Sequence, residues 1–96
     1  MINVSSLKVD GRECMGVRVD LPESPPLVLI MAGRGFVMCG FLNMEAAEKL
    51  GVCAAMASGV KTFDDVLTAQ LKAVTSKAKA LGVDLGMTGA DALKMF

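Results

Sequence analysis

Between Pro25 and Leu42 a single charge, Arg34, interrupts a run of mostly apolar residues. Leu27 to Ala32 is apolar at every position, without alternation, and most of Phe36 to Leu42 follows the same pattern. Strands covered on both faces carry such unbroken runs. Gly33, Arg34 and Gly35 lie between them. The glycines tolerate the positive φ angles of a tight reversal, and Arg34 is placed at its tip in water. The pattern predicts two antiparallel central strands. A membrane-spanning helix is a poor reading of this stretch, because the glycines and Arg34 interrupt it and it falls short of the ~20 residues a bilayer requires.

The first 21 residues alternate instead. Asp10-Gly11 is a two-residue type I′ turn signal, and a hairpin centred there has a self-consistent register. Lys8 then faces Glu13, Ser6 faces Met15, Val4 faces Val17 and Ile2 faces Val19, all on one mainly apolar face. Leu7, Val9, Arg12 and Cys14 fall on the other, mixed face. The apolar face is expected to turn towards the core, since a slip of one residue buries Arg18 and Asp20 instead. Pro22, Pro25 and Pro26 end the hairpin and make a short exposed connection to the central pair.

After the central pair, Asn43 is an N-cap for a short helix, Met44 to Leu50, with Gly51 as its left-handed stop. Val52 to Ser58 reads as a strand of small residues, its direction left open because the preceding helix is short for a parallel crossover. From Thr62 the period changes. Phe63, Val66, Leu67, Leu71, Val74, Ala78 and Leu81 recur at three- and four-residue steps, predicting one long amphipathic helix that ends at Gly82. Thr62 with Asp65 forms a capping-box pattern at its start, and Thr88 with Asp91 repeats the pattern for a last helix. The elements add up to one small α+β domain over residues 1–96. Its sheet is mixed, mainly antiparallel and of about five strands, with two to three helices.

The stretch GRGFVMCGFLNMEAAEKLG, followed by GVKTFDDVL and GMTGADALKMF, resembles the YunC-like family of small bacterial and archaeal proteins, a domain of unknown function. The likeness runs over nearly the whole chain. It implies a small α+β fold with a mixed sheet, and it implies no activity, substrate or catalytic residue.

Composition adds one expectation. Hydrophobic residues make up 53% of the chain and the mean hydropathy is +0.53, high for a domain with so much surface per unit volume. Some of that apolar surface is expected to be covered by a second copy of the chain, making a homo-oligomer. Charge narrows the partners. Ten basic and ten acidic residues are spread evenly, there is no basic block, and Trp and Tyr are absent, which argues against nucleic acid. No signal peptide is visible in Met1 to Leu7, so a cytoplasmic protein with three reduced cysteines is expected.

Histidine is absent, which removes the commonest general base and metal ligand. Cys14, Cys39 and Cys53 have no paired spacing, so neither a metal site nor a cofactor is expected. The remaining candidates are few. Cys39 lies beside Gly40, whose bare backbone admits a ligand, although a thiol in an apolar strand is ordinarily core. Lys61 and Thr62 open a helix, where free amides suit a phosphate or carboxylate, with Asp64 and Asp65 opposing an anion and simple capping as the plainer role. Arg34 suits an anionic ligand or an acidic group on another subunit. Asn43 has the reach to enter a pocket from its cap, with plain capping as the simpler role. Two functions remain open. One is a non-catalytic, self-associating domain that binds a small anionic ligand or a partner. The other is a small enzyme at the strand-end and helix-start around Lys61-Thr62, with Asp64 or Asp65 as acid or base, Lys61 as its electrostatic clamp, and Arg34 or Asn43 joining from a neighbouring strand or subunit.

Overall fold

The computed structural model describes residues 1–96 as an α+β domain. Its elements are β1 (Ile2–Val9), β2 (Arg12–Val19), β3 (Leu27–Met31), β4 (Phe36–Met38), α1 (Met44–Leu50), β5 (Ala54–Met56), α2 (Phe63–Thr68), β6 (Ala73–Val74), α3 (Ser76–Ala80) and α4 (Gly89–Met95). All six strands form one sheet in chain order, β1-β2-β3-β4-β5-β6. Every neighbouring pair is antiparallel except β4 and β5, which run parallel. The strand whose direction the sequence left open is therefore a crossover strand, with α1 and its flanking loops making the return.

The hairpin has the register its turn dictates. Lys8 pairs with Glu13, Ser6 with Met15, Val4 with Val17 and Ile2 with Val19. Asp10 and Gly11 both take positive φ, as a type I′ turn requires. The burial, however, is the reverse of the expectation. Val9, Cys14 and Gly16 are buried, while Ile2, Val4 and Met15 remain 68%, 57% and 46% exposed. The cause lies in the helices. The ring of Phe63, at the start of α2, sits over Gly16, where an added Cβ lies 2.7 Å from Phe63 Cε1. The mixed face is thus the one that α2 and α4 cover.

The sheet's covered face supplies Val28, Ile30 and Val37, all fully buried, against Val66 of α2 and Leu93 with Phe96 at the end of α4. On the opposite face Phe36 and Ala54 are cross-strand neighbours. Ala54 is fully buried there, so the remaining helices must cover it. α3 packs on β5, and α1 is tied to α3 by the Ser76 N–H donating to Glu48 Oε1 at 2.9 Å.

The long helix expected from Thr62 to Gly82 is broken in the middle. α2 stops at Thr68, residues 73–74 form β6, and α3 restarts from its own cap at Thr75. The edge of β5 has backbone groups to satisfy, and the chain after α2 satisfies them. Lys72 N–H donates to the Met56 carbonyl at 2.8 Å and Thr75 N–H to the Ala54 carbonyl at 3.0 Å. Thr75 Oγ1 also accepts from the Ala54 N–H at 3.1 Å and from the Ala78 N–H at 3.3 Å. Paired backbone in a buried strand edge outweighs a three-and-four spacing of side chains. With β6 added and the long helix divided, the sheet has six strands and the chain four helices.

Candidate functional site

The β3–β4 turn forms one wall of a cleft, and its sequence explains its shape. Neither Gly33 nor Gly35 takes a positive φ, contrary to the expectation for a tight reversal. Gly35 is required for space instead. A Cβ there lies 2.6 Å from the Cys53 carbonyl oxygen and 2.9 Å from Cγ of Phe96. The turn is closed by Ala32 N–H donating to the Gly35 carbonyl at 2.8 Å, and anchored by Arg34 N–H donating to the Phe96 carbonyl at 2.6 Å. The backbone of Arg34 is thus fixed while its side chain stays exposed.

The facing wall comes from α3 and from the turn after α1, where Gly51 takes φ +69°. Between the walls is a cleft of about 760 Å³. Met31, Phe36, Val52 and Leu81 give it an apolar lining. Its two charged side chains are Arg34 and Lys77, and no Asp or Glu side chain lines it. Cys53 lies at its buried base. Burial pushes that thiol above its ordinary pKa, with Lys77 and Arg34 opposing the shift.

The other residues singled out from the sequence lie elsewhere. β4 and β5 run in parallel away from the Arg34 turn, so Cys39 and Lys61 emerge at the far end of the sheet. There, with Pro26 and Phe41, they line a smaller cleft of about 240 Å³. Cys39 is buried, and its Sγ is 3.5 Å from the Val28 N–H that donates to it. Asn43 Oδ1 accepts from the Ala46 N–H at 3.1 Å, a helix cap. Thr62 Oγ1 accepts from the Asp65 N–H at 3.1 Å, and Asp65 Oδ2 accepts from Lys61 N–H at 3.0 Å and Thr62 N–H at 3.2 Å. Arg34 is therefore separated from the Lys61, Thr62 and Asp65 group. The residue that does join it is Lys77 of α3. No local signal pairs it with Arg34; only the fold does. No group of three or more His, Cys, Asp or Glu side chains is gathered to hold a metal ion, and no helix is long and apolar enough to cross a membrane.

The caps predict a pH profile. Hydrogen bonds from Lys61 and Thr62 hold the Asp65 carboxyl below the ordinary carboxylate range, and those from Thr88 do the same for Asp91. Their folded pKa values are depressed, so the stability they give is present above the unfolded value of about 4 and is lost as pH falls through the folded values. With no histidine, little titrates between that range and the thiols, which burial raises at Cys14 and Cys53. A raised thiol gives stability that is complete below its unfolded pKa and lost as pH rises through the folded one. The melting temperature is expected to be flat from pH ~5 to ~8 and to fall in acid. Asp65→Asn is expected to flatten the acid limb. Thermal denaturation across pH measures both, and a main transition near pH 6 contradicts the assignment.

The fold and the cleft together describe a small α+β domain with a six-stranded mixed sheet and a basic cleft at one end. Residues 38–96, more than half of the chain, match the family model of DUF1805, described as a domain of unknown function, and the chain belongs to that family. It is 34% identical over 97 residues to the uncharacterised protein YunC of Bacillus subtilis strain 168, covering 97% of this chain and 95% of that protein. Its structure is similar to the crystal structure of TA1206, a protein of unknown function from Thermoplasma acidophilum. There the TM-score is 0.92 at 32% identity, covering 98% of this chain and 91% of that one.

Proposed function

We propose that this chain is a self-associating, non-catalytic domain that binds a small anionic ligand with an apolar body in the Arg34–Lys77 cleft. One observation carries the reading: two cationic side chains and no Asp or Glu side chain line an otherwise apolar cleft. A carboxylate, sulfonate or phosphate monoester placed between Arg34 and Lys77 gains charge-assisted hydrogen bonds, while Met31, Phe36 and Leu81 cover its hydrocarbon part. The ionisable group beside the two cations is the Cys53 thiol, whose pKa burial raises, so it stays protonated near neutral pH and is no general base. Binding without turnover is what such a lining offers.

The enzyme reading around Lys61 and Thr62 draws on the smaller cleft alone. Asp65, its intended acid or base, already accepts two backbone N–H groups, and the depressed pKa makes it a poor proton acceptor.

Phenyl phosphate is a suitable probe, with phenol as its neutral counterpart. Isothermal titration of the purified chain is expected to show saturable binding of phenyl phosphate and none of phenol. Arg34→Ala with Lys77→Ala removes both cations. Hydrogen bonds to charged groups contribute about 1.5–3 kcal/mol each, so affinity is expected to fall at least ~100-fold. Equal affinity in the double variant contradicts the site.

A further inference from the structure

Buried backbone N–H groups in folded chains are nearly always paired. Among the buried residues outside the helices and strands here, two donate no backbone hydrogen bond within the chain, Cys53 and Val60. Each lines a cleft. Cys53 belongs to the Arg34–Lys77 cleft, and Val60, only 4% exposed, lines the cleft of about 240 Å³ at the opposite end of the sheet.

The loops around Val60 carry further unpaired backbone. Leu42 N–H donates to the Cys39 carbonyl at 3.1 Å, which closes a turn and leaves the N–H and C=O groups of Gly40 and Phe41 without partners in the chain. Gly59 takes φ +73° after β5, and its N–H and C=O are unpaired, as is the Val60 carbonyl. The two loops lie side by side, since a Cβ at Gly40 would be 3.9 Å from Ser58 Cβ. All four residues line the cleft.

We infer that this second cleft binds a small neutral carboxamide, whose C=O accepts from the Val60 N–H and whose N–H donates to a free carbonyl of the two loops. The first argument is the donor and acceptor set. Free N–H and C=O groups together match an amide, which offers one of each, whereas a hydrocarbon leaves both unpaired. Pro26 and the half-exposed Phe41 supply apolar cover for the rest of the ligand.

The second argument is charge. Lys61 lines this cleft, but Asp65 Oδ2 accepts from the Lys61 N–H at 3.0 Å and from the Thr62 N–H at 3.2 Å, and Asp64 stands beside it in the first turn of α2. Two carboxylates next to one ammonium leave no attraction for an anion. The Arg34–Lys77 cleft has cations without a carboxylate side chain, so the two clefts select by charge. This site is independent of the anion site proposed above. Cys39 Sγ accepts from the Val28 N–H at 3.5 Å, so that thiol is engaged with the sheet.

Amide NMR of the labelled full chain, titrated with benzamide into the millimolar range, tests this. Saturable shifts are expected at Gly40, Phe41, Gly59 and Val60, with Gly33 to Gly35 unmoved. Benzoate has the same shape with a charge, and phenol has the ring without a carbonyl; neither is expected to move the Val60 group. Phe41→Ala alters a half-exposed turn position, so it keeps the wild-type melting temperature and is expected to weaken benzamide about 10-fold. Arg34→Ala with Lys77→Ala is expected to leave benzamide affinity unchanged. Benzamide that leaves Val60 unmoved overturns the site. Benzoate or phenol that shifts Val60 as far as benzamide does overturns the choice of a neutral amide. Loss of benzamide binding in the Arg34 and Lys77 double variant overturns the separation of the two clefts.

Discussion

Gly89→Ala is expected to lower the melting temperature by more than ~10 °C or to prevent folding, although alanine is the better helix former. Gly89 is the first residue of α4, where that helix passes α2. A Cβ at this position lies 1.9 Å from the Val66 carbonyl oxygen and 2.9 Å from its carbon. Both are backbone atoms of α2, so no rotamer change relieves the clash. The helices must separate, and Val66, Leu93 and Phe96 lose their fit in the core. The propensity gain is at most ~1 kcal/mol. Overpacking against a side chain costs about 1–3 kcal/mol, and against fixed backbone more. Two comparisons isolate the cause. Gly86→Ala places its Cβ in open space and is expected to melt close to wild type, whereas Gly16→Ala meets the Phe63 ring, which can shift, and falls between. Circular dichroism melting of the three variants checks the order, and a Gly89→Ala midpoint near wild type contradicts it.

Phe96→Ala is expected to cost about 3–5 kcal/mol, the usual range for removing a fully buried aromatic side chain. The loss carries a functional consequence. The ring packs on Gly35, and the Phe96 carbonyl accepts from Arg34 N–H, so this residue supports the turn that presents Arg34. Phenyl phosphate binding is expected to weaken as well, although Phe96 does not line the cleft. Phe96→Leu retains most of the volume and is expected to be milder on both counts. Denaturant unfolding gives the first quantity and titration calorimetry the second. A destabilised variant with wild-type affinity contradicts the coupling of the turn to the core.

What could be read from the sequence was what residues settle among near neighbours. Asp10-Gly11 determines the hairpin register by its own geometry, and the caps at Asn43, Thr62 and Thr88 need only three residues each. The covered side of the hairpin is the opposite of the one its alternation suggests, because helices formed from residues 63–95 decide it. Apolar alternation identifies a face suited to contact; it does not name the partner. Here the more apolar face is the one its own helices leave open. The stripe after Thr62 fits one long helix and equally two short helices around a strand, and the demand of the β5 edge that decides between them is invisible in a local pattern. The cleft was half legible. Arg34 stands out between two glycines, whereas Lys77 meets it only because α3 returns to the start of β5.

The central claim is that anions bind between Arg34 and Lys77. Amide NMR of the labelled chain titrated with phenyl phosphate tests it most directly. The account predicts saturable shifts at Gly33 to Gly35, Gly51 to Cys53 and Lys77, with Cys39 to Phe41 and Gly59 to Lys61 unmoved. Shifts confined to the second group, or none at all, would contradict it.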